Sequence, residues 1–198
     1  NELVSVNETP AAHQIRSSNK EMLHALLSPY AASIELRHLP DEREALKTFL
    51  QGESLRYDVL CFSGGVSMGK YDYVASELEN AQVQTLFHGV RQRPGKPFFF
   101  GTREAQVIYA FPGNPVSVLH CATRFLLPFL RRQEDNTRVL NAAIFNKTKL
   151  YFYKPVCLLT NGQVQVIEQH GSGDFMGMHG ATGFVELAPE GQYDAGSA

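Results

Sequence analysis

Two apolar runs constrain this chain more than any other feature: "VLCF" at 59–62 and "VIYAF" at 107–111. Runs so poor in polar side chains are the pattern of strands covered on both faces. Each ends in residues of little bulk, "SGGVSMG" after the first and "PGNPVS" after the second, and each then leads toward a helical segment. Strands buried on both sides need helices above and below them, so the runs predict an open α/β sheet with helices on both faces.

The surrounding segments agree. "NKEMLHALLSPY" sets Met22, Leu23, Leu26 and Leu27 on one helical face, with Ser18 or Asn19 placed as N-cap. "ASIELRHL" alternates as a strand does and is closed by Pro40, and "DEREALKTFLQGE" returns to helical spacing through Leu46, Phe49 and Leu50 before Gly52 stops it. "DYVASELENA" reads as a helix, and "QTLFHGV" and "KPFFFG" as strands on either side of the turn "RPGK". "PVSVLHCATRFLLPFLRR" is a long helix with proline near its start, bent or ended early by Pro128.

This α/β domain is placed over residues 1–134, with "QEDNT" as the linker. Over 135–198 the pattern becomes that of a small all-β, barrel-like domain. Two strand-like runs flank Asn161-Gly162, a type I′ hairpin signal, and "GFVELA" supplies a further strand after a glycine-rich stretch.

Composition excludes several function classes. The formal net charge is −2 and the basic residues are scattered, so the concentrated basic face that duplex nucleic acid requires is missing. No run reaches the roughly 18 apolar residues of a membrane span, and no basic-then-apolar leader is present. Three cysteines, Cys61, Cys121 and Cys157, lie far apart inside apolar runs. They read as buried, reduced thiols of a cytoplasmic protein rather than a disulfide framework or a zinc knuckle. "NELVSV" begins as if within a strand edge, without an initiating methionine, so the chain reads as a fragment of something longer.

In an open α/β sheet, ligands bind beyond the carboxyl ends of the strands, where helix N-termini and loop N–H groups attract anions. The loops holding Ser63, Gly64, Gly65 and Ser67, and Pro112, Gly113, Asn114, Pro115 and Ser117, lie at two such ends. Together they suggest an anion or phosphate site. The glycine loop alone reads equally as a tight strand-to-helix turn, because it has neither the P-loop nor the dinucleotide pattern. Asp72 is either a surface residue or helix cap, or a carboxylate that shares a magnesium ion with a bound phosphate. Asp41 is either a second oxygen ligand or the N-cap of a helix starting at Glu42. Arg93 and Lys96, around "RPGK", are either solvated turn charges or cations that hold an anionic substrate. The seven histidines show no metal-ligand spacing and carry no catalytic assignment.

"SGGVSMGKYDYV", "RPGKPFFFG" and "FPGNPVS", in this order and at these separations, resemble the MoeA family of molybdopterin molybdenumtransferases, to which the gephyrin E domain also belongs. "NELV" and "HQIRSSN" resemble that family's "GDELV" and "GQIRDSN". The resemblance implies a MogA-like α/β domain with its first strand truncated, followed by a small β-barrel domain. It implies insertion of molybdate into adenylylated molybdopterin with release of AMP, a requirement for magnesium, and a homodimer. By position, Glu2, Asp41 and Asp72 correspond to acidic active-site residues, and Asp72 resembles the magnesium ligand, with Asp41 as its possible companion. Arg93 and Lys96 fall on a basic loop, Pro112 and Pro115 on a loop beside the molybdate and cofactor pocket, and Ser172 on a serine facing the cleft. The departures are Gly89 in place of a common lysine with Arg91 nearby, Lys70 in place of an acidic residue, and Asn1 and Ser17 in place of aspartates. Competing readings are a MogA- or CinA-like nucleotide-processing domain, and a pterin-binding or scaffolding module without turnover.

Overall fold

The computed structural model describes residues 3–4, 6–66, 73–131, 137–169, 171 and 174–197. The chain opens with β1 (Leu3–Val4), β2 (Ile15–Arg16), α1 (Asn19–Leu27), α2 (Arg43–Gln51), β3 (Val59–Ser63), α3 (Val74–Asn80) and β4 (Gln84–His88). It continues through β5 (Gln92–Arg93), β6 (Phe99–Arg103), β7 (Gln106–Phe111), α4 (Pro115–Cys121) and α5 (Leu127–Arg131). The remaining elements are β8 (Ile144–Phe145), β9 (Tyr151–Leu158), β10 (Val164–Val166), β11 (Gly183–Leu187) and β12 (Gln192–Tyr193).

The main sheet has the order β3-β7-β6-β4. β3 and β7 are parallel, whereas β6 and β4 run antiparallel to their neighbours. Along β7 the side chains alternate between two cores, as a pleated strand requires. Tyr109 and Phe111 join α1 and the α4–α5 helix through Leu23, Leu27, Val118 and Leu126. Ile108 and Ala110 join α2 and α3 through Leu46, Leu50 and Leu78 on the other face. Helices therefore cover both faces of the sheet, as the apolar runs imply.

β7 is buried along almost its whole length, but β3 is not: Leu60 is buried, while Cys61 and Ser63 are exposed. The expectation that "VLCF" is covered on both faces, and that all three cysteines are buried, fails at this strand. Cys121 is buried, Cys157 intermediate and Cys61 exposed. The reason is position: among the described residues β7 is the one ladder partner of β3, so its other edge has no neighbouring strand.

The predicted strand over "ASIELRHL" does not form; 33–40 runs without helix or strand assignment. A strand needs a ladder partner, and this segment is instead tied through side chains. Glu35 accepts from Arg37, Arg56 and the Tyr57 hydroxyl, and Arg37 also pairs with Glu53. The Tyr57 hydrogen bond and then Arg37 hold the Glu35 carboxyl below its ordinary range.

Three smaller expectations also change. α2 starts at Arg43 with Glu42 as N-cap, so Asp41 does not cap it. Pro128 does not end its helix, because a π-turn over Ala122–Leu126 widens the ladder just ahead of the missing N–H. The Asn161-Gly162 hairpin joins β9 to β10, but only Gly162 has positive φ, at 83°. Gly162 N–H donates to Leu159 O and Leu159 N–H to Gln163 O. A type I′ turn needs positive φ at both central residues, so this is the three-residue hairpin with glycine in the left-handed position.

The second part is all-β. β9 lies between β10 and β11, and β12 pairs with β8. One strand of this sheet comes from the first part of the chain: β5, within "RQRPGK", pairs in parallel with Tyr151 and Phe152 of β9. The interface is sealed by α4, whose His120 ring lies 4.1 Å from Tyr153 and 5.0 Å from Phe184 between centroids.

Candidate functional site

Parallel pairing in register, with Ser63 opposite Phe111, brings the carboxyl ends of β3 and β7 side by side. The loop after β3 is held by its backbone. Gly64 N–H donates to Phe111 O at 3.0 Å, and Val74 N–H at the start of α3 donates to Gly65 O at 3.2 Å. Gly64 and Gly65 have φ of 90° and 71°, conformations that side chains other than glycine's resist. A Cβ on Gly65 would fall 2.7 Å from Val74 Cγ2, and one on Gly113 would sit 3.9 Å from Gly64 Cα. The two loops therefore face each other closely across small residues.

Two side chains brace this cradle. Asn19, at the start of α1, donates from Nδ2 to Ser63 Oγ and to Gly113 O, both at 2.7 Å. His88, at the end of β4, places Nε2 3.1 Å from Val66 O. A carbonyl only accepts, so that nitrogen carries the proton. Neither residue is assigned a site role from sequence. Asn19 reads there as a helix cap, but its bonds reach across 44 and 94 residues, and local spacing carries no sign of so distant a contact. Ser18 is the N-cap position, and its side chain makes no capping bond.

After β7, Pro112 is buried and Gly113 exposed. Asn114 caps α4 by accepting from Ser117 N–H at 3.2 Å, and Pro115 occupies the first turn, where its missing N–H costs nothing. The basic loop packs beside this helix. Gly95 has φ of 88°, and a Cβ there would lie 2.4 Å from Cys121 Sγ and 3.7 Å from Ser117 O. Gln92, also buried, donates to Cys121 Sγ at 3.5 Å. Burial pushes the Cys121 thiol up to about 12, which makes it a packing group rather than a nucleophile. Lys96 is exposed, and Arg93 lies over the Phe152 ring at 5.4 Å.

Thus Ser63, Gly64, Gly65, Gly113 and Asn114 are brought together, with the Arg93–Lys96 loop fixed against the same helix. Asp41 is exposed ahead of α2. Glu2, Ser67, Asp72 and Ser172 lie outside the described residues. The candidate ligands are carboxylates, hard donors that suit magnesium better than zinc. Among the described residues, however, no three His, Cys, Asp or Glu side chains cluster as a metal site. No helix among them is long and apolar enough to cross a membrane.

The site is thus that of an α/β protein that presents two glycine-bearing loops at the carboxyl ends of adjacent parallel strands. A family model described as "Probable molybdopterin binding domain" matches residues 2–132. The chain belongs to this molybdopterin-binding domain family, and its similarities run to the MoeA proteins. It is 36% identical over 193 residues to the molybdopterin molybdenumtransferase of Synechocystis sp., covering 94% of this chain and 48% of that protein. It is 33% identical over 156 residues to the molybdenum cofactor synthesis protein cinnamon of Drosophila melanogaster, covering 75% of this chain and 26% of that one. The crystal structure of the molybdopterin biosynthesis MoeA protein from Pyrococcus horikosii superposes with a TM-score of 0.76 at 26% identity, over 100% of this chain and 50% of that one. The chain spans about half the length of the Synechocystis relative and of this structural neighbour.

Proposed function

We propose that this chain is the part of a molybdopterin molybdenumtransferase that carries the anion cradle, and that the whole protein inserts molybdate into adenylylated molybdopterin with release of AMP. The observation that carries this reading is the pair of loops after β3 and β7, set face to face and joined through Asn19. Backbone N–H groups and the Ser63 hydroxyl would bind a phosphate or oxyanion there. Lys96 and Arg93, on a loop seated against α4, would offset its charge. The basic loop lies where the two parts join, since Arg93 of β5 pairs with Phe152 of β9 and its guanidinium lies over that ring. Molybdopterin species and molybdate are the substrates of this reading, and a cytoplasmic homodimer is its setting.

Asp72, with Asp41, would hold magnesium, which when bound offsets phosphate charge and polarises the phosphoanhydride. The residues described here act without a covalent nucleophile: they bind, orient and neutralise. The test is Asp72→Ala in the full-length protein. Magnesium-dependent molybdenum insertion should fall by on the order of 100-fold, and an unchanged rate would overturn the metal assignment.

A further inference from the structure

We infer that Asn19 is a positioning residue of the cradle, and that it acts by fixing the polarity of the Ser63 hydroxyl. This inference rests on the functional reading above. Gly113 O can only accept a hydrogen bond, so its 2.7 Å contact with Asn19 fixes which end of the amide is nitrogen. With Nδ2 so placed, its second proton goes to Ser63 Oγ, also at 2.7 Å. A hydroxyl that accepts from Asn19 keeps its own proton to give. Among the described residues Ser63 Oγ has no acceptor for that proton, and Ser63 is exposed at the mouth of the loop. The hydroxyl is thereby a fixed donor, which is what an oxyanion needs.

A second observation points the same way. Asn19 Oδ1 is buried and has no hydrogen-bond partner among the described residues. An unpaired buried acceptor is unfavourable, and a smaller side chain at this position would avoid it. The amide is nevertheless held with both protons spent on the two loops. The same bonds fix the gap between Ser63 and Gly113, which Gly64 N–H to Phe111 O alone would leave hinged.

The experiment uses the full-length protein, with AMP and molybdate as separate calorimetric probes and molybdenum insertion as the kinetic readout. Asn19→Ala should weaken binding of at least one probe about tenfold and lower kcat more than it raises KM, because loop misplacement acts on the reacting geometry. Asn19→Asp should be worse, about 100-fold, since a carboxylate accepts from Ser63 and turns its proton away from the cradle. Ser63→Ala supplies the second arm. In that background the loss from Asn19→Ala should shrink at least about threefold, what remains being its separate bond to Gly113 O, the coupling expected of residues that act together. Affinity and kcat of Asn19→Ala within about twofold of wild type, or losses at Asn19 and Ser63 that simply multiply, would overturn the inference. Wild-type protein that binds neither probe would instead overturn the functional reading itself.

Discussion

The two ends of the main sheet are built on opposite principles. At the amino ends of β3 and β7, Arg103 donates to Leu50 O, Ser54 Oγ and Gln106 Oε1. Gln106 in turn donates to Ser54 O and Tyr57 O, and Ser54 Oγ to Leu50 O. Buried donors and acceptors there answer one another. At the carboxyl ends the chain uses glycines with positive φ, an amide oxygen without a partner among the described residues and an exposed serine hydroxyl. A closed polar network rigidifies the sheet, whereas open donors, and glycines that let a ligand approach the backbone, suit an end that a ligand completes. Under the proposed function, one end secures the fold and the other receives the ligand.

Arg103→Ala should break this division most visibly. It removes three hydrogen bonds in a part-buried setting and leaves Ser54 Oγ and Gln106 Oε1 without that donor, while Leu50 O keeps its bond from Ser54 Oγ, so urea unfolding should show a loss of about 3 kcal/mol. AMP affinity of the protein that remains folded should stay within about twofold, because the network is a full strand length from the cradle. A parallel loss of affinity would show that the two ends are not separable.

The sequence makes one of these ends far more legible than the other. Glycine loops and the "PGNP" loop with proline at the start of the following helix are local patterns, and local patterns survive in sequence. The amino-end network joins Ser54 and Tyr57 to Arg103 and Gln106 through contacts about 50 residues apart, and nothing in the spacing of those residues announces it. The same non-locality hides Asn19 and His88. β3 is misread for a related reason: an apolar run reports a strand but not whether that strand is central or at an edge. "ASIELRHL" likewise has strand alternation without a ladder to join, and ion pairs to Arg56 and Glu53 decide its course instead.

His120 complicates the contrast, since among the described residues it is an unsatisfied polar group within the packed interface of the two parts. It is fully buried on α4 against β9 and β11, neither ring nitrogen has a partner among the described residues, and burial, aided by the charge of Arg124, holds it down to about 3. Arg124 pairs with Glu186 at 3.3 Å, and Tyr153, which donates to Glu186, is pushed up by burial to about 12. A depressed histidine means that the unfolded chain binds the proton first as pH falls below about 6.5. Its contribution to stability is therefore complete above that pH and is lost progressively toward 3. Near 1.4 kcal/mol per pH unit, acidification from 6.5 to 5 should cost about 2 kcal/mol. His120→Leu should remove that slope in urea titrations at several pH values. A slope unchanged in the variant would assign the acid sensitivity to other groups.

The smallest effect on stability gives the finest test of the open end. Gly65→Ala meets both a φ of 71° and a contact 2.7 Å from Val74 Cγ2, so it should cost about 1–2 kcal/mol. Gly113→Ala meets neither: its backbone lies outside the left-handed region, and the nearest atom that a Cβ would meet is Gly64 Cα at 3.9 Å, an ordinary contact. Its unfolding free energy should stay within about 0.5 kcal/mol of wild type. Yet the new methyl stands between the two loops, where a ligand must approach the backbone without an intervening Cβ. AMP or molybdate affinity should then fall about tenfold, equivalent to about 1.4 kcal/mol. Stability and affinity moving apart at Gly113, and together at Gly65, would place the ligand in the gap between the loops. Full affinity in Gly113→Ala would move it outside that gap and leave the glycines there with a packing role alone.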